Sequence, residues 1–273
     1  MKESYKIIVL DLDGTLTNSQ KELSERNRTT LIALQERGIK LALASGRPTY
    51  GIMPLAEALE LKRYGGYILA YNGGVIIDCA SGKEIYANTL PMELIEPLYR
   101  GAKEGGAVLL SYEGEFIITE VEDDKYVAIE AHLNKMATLK VENLMERITK
   151  PVPKCLAVGE PEKILALEAS LKGAIGERMG IYRSEPFFLE LVPNGIDKAF
   201  SLGKLSEHSG IKQEEMIAFG DGFNDLTMIE YAGHGVAMAN AQAIVKERAD
   251  ALALSNDEDG VAIYLEQIMG VEL

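Results

Sequence analysis

The amino-acid sequence predicts an α/β protein, a doubly wound parallel-sheet (Rossmann-like) core with an α+β domain inserted into it. Three observations predict this. Short apolar runs rich in β-branched residues alternate with helix-length segments at the start of the chain. The alternation gives way near Glu84 to adjacent strand pairs and resumes after about residue 190. The chain, 273 residues with 47% hydrophobic and 26% charged residues, suits one large domain or two smaller ones.

Residues 5–10 are a continuous apolar run, as in a strand covered on both faces, and the run stops at Asp11-Leu12-Asp13-Gly14-Thr15. Ser24 is the expected N-cap of a helix over 25–37 that Gly38 closes. A second strand, 39–44, ends at Ser45-Gly46-Arg47, and a helix over 50–61 follows. A third strand, 67–71, ends at Asn72-Gly73-Gly74. Such alternation implies a parallel sheet with right-handed crossovers.

From 84 the rhythm changes. A helix is expected over 91–104, a hairpin of 108–111 with 116–120, and a helix over 123–135. Residues 154–159, 161–175, 179–183 and 187–192 then read as β-α-β-β. Residues 84–190 are therefore expected to be a separate α+β domain inserted into one formed by 1–83 and 191–273. The core rhythm returns with a helix over 196–209, a strand over 216–219 ending at Gly220-Asp221, and a helix over 226–232. Strands 235–238 and 251–254 and helices 242–248 and 260–269 complete it.

Composition excludes several functions. A formal net charge of -14 and no basic cluster longer than Lys62-Arg63 argue against a nucleic-acid partner. Two cysteines far apart, Cys79 and Cys155, are expected to be reduced thiols rather than a disulfide framework. The N-terminal apolar run is too short for a signal peptide or membrane helix, so no membrane and a cytoplasmic location are expected. His132, His208 and His234 lack a partner pattern and are expected at the surface or in loops. No Walker-type Gly-Lys-Ser/Thr loop is present, and the first acidic loop lacks the later ligand positions of an EF-hand.

Ligands of open α/β sheets bind beyond the carboxyl ends of the strands. Asp11, Asp13, Ser45, Asp221, Asn224 and Asp225 all follow predicted strands, and Lys198 opens the helix before one. Carboxylates held together repel unless a cation lies between them or one is protonated. Four acids, Asp11, Asp13, Asp221 and Asp225, suit a hard cation such as Mg2+. Asp11 could then stay ionised and attack, while a less tightly held Asp13 could carry a proton. Ser45, Lys198 and backbone N–H groups would hold phosphate oxygens.

Asp11-Leu12-Asp13-Gly14-Thr15, Ala44-Ser45-Gly46-Arg47, Lys198 and Gly220-Asp221-Gly222-Phe223-Asn224-Asp225 resemble, in order, the four motifs of the haloacid dehalogenase superfamily. The insertion between the second and third motifs is similar to the large cap (type IIB) of its Cof-type phosphatases, as are Asn72-Gly73-Gly74 and Val236-Ala237-Met238-Ala239-Asn240-Ala241. Ala199 departs from the Gly that many relatives carry after the lysine. The resemblance implies that Asp11 is nucleophile and Mg2+ ligand. Asp13 would be acid/base and a ligand through its carbonyl, Asp221 the third protein ligand, and Asp225 a support through water. Leu12, Ser45, Gly46, Lys198 and Asn224 would contact phosphate, and Arg47 and Asn72 would bind or position substrate.

The expected function is therefore Mg2+-dependent hydrolysis of a small phosphorylated metabolite, sugar phosphates foremost, by a monomer or small homo-oligomer. The site is expected between core and cap, with cap motion controlling access to water. A phosphomutase of related chemistry and a catalytically weak metabolite-binding regulator are the alternatives. The intact Asp11, Asp13, Lys198 and Asp221 oppose the last.

Overall fold

β1 (Ile7–Leu10) is four apolar residues with no exposed surface, as a strand buried on both faces requires. In the computed structural model, which describes residues 5–271, α1 (Glu25–Glu36) follows. Ser24 caps it by accepting the Asn27 N–H at 3.1 Å, and the chain leaves through Gly38 at φ 90°. β2 (Lys40–Ala44) and α2 (Thr49–Ala58) come next. The helix expected to reach 61 stops earlier, because Glu60 takes a left-handed φ of 53° and starts a separate turn, α3 (Leu61–Tyr64). β3 (Tyr67–Ala70) pairs antiparallel with β4 (Val75–Asp78), and β5 (Lys83–Ala87) forms the sheet edge. Sequence patterning misses both β4 and β5. The apolar run of β4 is hidden behind an Asn-Gly-Gly turn, and β5 is an edge strand with no buried residue.

The next stretch builds a second sheet. Its elements are α4 (Met92–Glu104), β6 (Val108–Glu113), β7 (Phe116–Thr119), α5 (Lys125–Asn134), β8 (Ala137–Lys140) and α6 (Leu144–Arg147). β9 (Cys155–Val158), α7 (Pro161–Ile175), β10 (Met179–Glu185) and β11 (Phe188–Pro193) complete it. The strand order is β10-β11-β9-β6-β7-β8. All pairs are antiparallel except β7 with β8, a short half-exposed strand that carries no sequence signal. Leu94 and Leu98 of α4 and Leu167 and Leu171 of α7 form a core with Leu109, Ala157, Leu189 and Leu191 of the sheet. The Asn88 amide donates to the Asn194 carbonyl at 3.4 Å, so the chain enters and leaves this unit at neighbouring points.

α8 (Lys198–Ser209), β12 (Met216–Gly220), α9 (Leu226–Tyr231), β13 (His234–Ala237), α10 (Ala243–Arg248), β14 (Ala251–Leu252) and α11 (Gly260–Met269) return to the first sheet. Its order is β14-β13-β12-β1-β2-β3-β4-β5, parallel from β14 to β3. Ile7, Val9, Ala42, Ala44, Met216 and Ala218 pack on one face with Leu202 and Leu205 of α8 and Met228 of α9. By strand alternation Ile8, Leu10, Leu41 and Leu43 face the other side, where α1 and α11 pack together.

The chain thus divides into two compact units, one running to Tyr86 and resuming at Asp197, the other Ala87–Ile196. The junctions lie at 87 and 196 rather than 84 and 190, because β5 belongs to the first sheet and β11 runs on to Pro193. Among the described residues no helix is long and apolar enough to cross a membrane. His234 is not in a loop as expected: it is half-buried in β13 with Nε2 2.6 Å from the Tyr264 hydroxyl.

Candidate active site

Parallel pairing carries the ends of β1, β2, β3 and β12 to one edge of the first sheet. Asp11 follows β1, Ser45 follows β2, Asn72 lies just past β3 and Asp221 follows β12. The backbone extends this order, since the Asp11 N–H donates to Phe219 O at 3.0 Å and the Ser45 N–H to Leu69 O at 2.9 Å.

Lys198, with no exposed surface, is the first residue of α8, and its ammonium lies 2.5 Å from Asp11 Oδ1 and 2.5 Å from Asp225 Oδ1. Burial alone would lower the lysine pKa, but the two carboxylates outweigh it and hold Lys198 charged. Asp11 is pushed well above the usual carboxylate range by burial and by the charge of Asp225, with Lys198 opposing both. Asp225 is fully committed: its Oδ2 accepts the N–H groups of Asp221 at 2.9 Å and Gly222 at 2.8 Å. Asp221 accepts the Thr15 hydroxyl at 2.8 Å, and burial pushes its pKa up to about 6. Gly14, at φ 91°, packs so closely on Asp221 that a methyl group there would lie 2.4 Å from Oδ2.

Asp13 goes elsewhere. Arg47 grips its carboxylate with two hydrogen bonds, at 2.8 and 2.6 Å, and Lys21 adds an ion pair at 2.9 Å. Burial would raise its pKa, but the two cations prevail and hold it below the usual range. A less tightly held Asp13 could carry a proton; here Arg47 and Lys21 grip it and favour its charged form. Arg47 reaches Asp13, and not Asp11 or Asp221.

The loop side brings together Ser45, Gly46, Asn72 and Asn224, while Leu12 stays in the turn after β1. The Leu12 carbonyl closes the first turn by accepting Thr17 Oγ1 at 2.8 Å. Ser45 is buried, its hydroxyl accepting the Arg47 N–H at 3.2 Å. Asn224 Nδ2 donates to Asn72 Oδ1 at 3.2 Å, and a methyl group on Gly46 would lie 3.2 Å from Asn72 Nδ2. Three supporting residues escape sequence reasoning: Thr15 on Asp221, Lys21 on Asp13, and Asn240, whose amide donates to Gly14 O at 2.8 Å. Thr15 and Asn240 lie inside motifs already quoted, but Lys21 carries no signal at all.

A carboxylate oxygen from each of Asp11, Asp221 and Asp225 lies within 4.8 Å of the others. Among the described residues nothing bonds to Oδ2 of Asp11 or Oδ2 of Asp221, whereas Asp225 and the Asp13 carboxylate have both oxygens engaged. Two open, hard oxygen donors, one on buried Asp11 and one on half-buried Asp221, beside a like-charged neighbour fit a divalent cation.

The haloacid dehalogenase-like hydrolase family matches the chain over residues 8–265. A Bacillus subtilis relative, 5-amino-6-(5-phospho-D-ribitylamino)uracil phosphatase YitU, is 31% identical over 278 residues, covering 98% of each chain. The crystal structure of a haloacid dehalogenase-like hydrolase from Bacteroides thetaiotaomicron superposes with a TM-score of 0.95 at 54% identity, covering 97% of this chain and 100% of that one. A subclass IIB sugar phosphatase, BT4131, gives a TM-score of 0.80 at 25% identity, covering 97% and 100%.

Proposed function

The chain belongs to the haloacid dehalogenase-like hydrolases, and on that premise we propose that it is a Mg2+-dependent phosphatase acting on small phosphorylated metabolites, sugar phosphates foremost. The observation that carries this reading is the buried Lys198 bridge between Asp11 and Asp225, with Asp221 beside it. Asp11, Asp221 and the Asp13 carbonyl would hold Mg2+, with Asp225 as support. Bound there, the cation supplies positive charge that offsets the phosphate oxygens and keeps Asp11 ionised.

Asp11 then attacks phosphorus, forming an aspartyl-phosphate as the ester P–O bond breaks. The leaving oxygen takes a proton from Asp13, and Asp13 later accepts one from the water that hydrolyses the intermediate. The ionised, doubly paired Asp13 matches the second of these states. For the first, its grip on Arg47 and Lys21 must loosen when substrate binds. Lys198, Ser45, Asn224 and the amides of Leu12 and Gly46 would hold the transferring group. The inserted unit would serve as the cap. Two free thiols agree with a reducing, cytoplasmic setting.

The test is phosphate release from a panel of phosphorylated metabolites, with Mg2+ and with chelator, for wild type and Asp11→Asn. Release is expected only with the cation, and the variant should lose at least about 10^3-fold, as nucleophile removal does elsewhere. Metal-independent release, or an undiminished variant, would overturn the assignment. Transfer between two positions of one sugar would indicate a mutase.

A further inference from the structure

Tyr71, Asn72 and Gly73 take left-handed backbone conformations in succession, at φ 55°, 55° and 93°. Glycine enters that region freely, but Tyr and Asn do so at a cost in free energy, so the surroundings must impose it. They do so on two sides. The Tyr71 N–H donates to Arg47 O at 3.0 Å and the Asn72 N–H to Ser45 O at 2.9 Å, which ties the turn to the loop after β2. A methyl group on Gly73 would lie 2.5 Å from Ser201 Cβ and 3.0 Å from Asp197 O, so the turn also presses on the start of α8, beside Lys198. The Asn72 side chain makes a third link, accepting from Asn224 Nδ2 at 3.2 Å in the loop after β12.

Strained, non-glycine backbone at the meeting of three site segments calls for a reason, and the Asn72 carboxamide supplies one. A primary amide has two N–H donors fixed in one plane. Once Asn72 takes one of those of Asn224, the direction of the other is set. The opposite side of the Asn224 amide rests on Gly222, where a methyl group would lie 2.7 Å from Oδ1. Without Asn72, the exposed Asn224 side chain would be free to rotate.

We propose that Asn72 is a positioning residue: its left-handed backbone aims the carboxamide oxygen at Asn224 so that the second Asn224 N–H meets a phosphate oxygen. This rests on the phosphatase reading above and assigns Asn72 no direct contact with substrate. It makes the turn a trade of stability for activity.

The test compares wild type, Asn72→Gly, Asn224→Ala and the double variant. It measures melting temperature, kcat and KM for p-nitrophenyl phosphate with Mg2+, and the affinity for inorganic phosphate by calorimetry. Asn72→Gly relieves the strain while removing the amide, so it should melt at or above the wild-type temperature. It should nevertheless lose roughly 10-fold in kcat/KM and in phosphate affinity, the scale of one positioned hydrogen bond. The double variant should be no worse than Asn224→Ala alone, because coupled residues are not additive. Wild-type kcat/KM and phosphate affinity in Asn72→Gly, or losses that multiply in the double variant, would overturn the proposal. A wild type that hydrolyses no phosphomonoester would instead count against the phosphatase reading, and the phosphate affinities of the same four proteins would still decide the role of Asn72.

Discussion

Lys198 has its charge in a place without exposed surface, and only the pair Asp11 and Asp225 makes that tolerable. The pKa of Asp221 beside them is pushed up to about 6, first by its own burial and then by the charge of Asp225, with the Thr15 hydrogen bond and Lys198 opposing. The consequence for pH has a definite sign. In the unfolded chain an Asp titrates near ~3.9. The folded, metal-free protein binds the Asp221 proton more tightly, so this stabilising contribution is complete below ~3.9 and is lost as pH rises to about 6. Asp11 shifts in the same direction, and Asp13 in the opposite one. Metal-free protein should therefore lose on the order of 3 kcal/mol from Asp221 over that window. Mg2+ should restore stability at pH 7 and bind progressively more weakly below about pH 6, where Asp221 holds its proton. Urea midpoints at pH 5 and pH 7, with and without Mg2+, check this. Equal stabilisation by Mg2+ at both values would contradict it.

At the scale of the element, local chemistry decides where helices begin and strands end. Ser24 satisfies an otherwise unpaired N–H of α1, and Ser24→Ala should cost about 1 kcal/mol without changing the fold. Chemical denaturation measures it, and an unchanged midpoint would show that water replaces the cap at no loss. Such features were legible because they are local: an N-cap Ser, a closing Gly and an unbroken apolar run each occupy a few adjacent residues. β5 and β8 were not legible, because an edge strand needs no buried alternation and its pairing is set by distant partners, and β4 was not, because its short apolar run directly follows the Asn-Gly-Gly turn. The site divides in the same way. Asp11, Lys198, Asp221 and Asp225 could be placed together because each follows or precedes a core strand of a parallel sheet. That Arg47 and Lys21 would take Asp13, or that Asn72 would hold Asn224, depends on side-chain directions that linear spacing does not encode.

Over the whole molecule, the first sheet is assembled from both ends of the chain, and Ala87–Ile196 intervenes. Each unit has its own buried apolar cluster, so each should have its own folding stability. Replacing residues 87–196 by a linker of about four residues should leave a unit that folds and gains thermal stability from Mg2+. Calorimetry on that shortened chain checks this, and a featureless scan would mean that the first unit needs the second in order to fold.

The Asn88–Asn194 contact makes that excision conceivable, and it has a wider meaning. An excursion that departs and returns through one doorway puts almost no tension on the sheet it leaves. Closing a loop costs free energy that grows only with the logarithm of its length. Descendants of this gene can thus lengthen, shuffle or exchange the excursion while the carboxylates and the lysine stay in register. Chemistry can be inherited on one side of the doorway while choice of substrate drifts on the other.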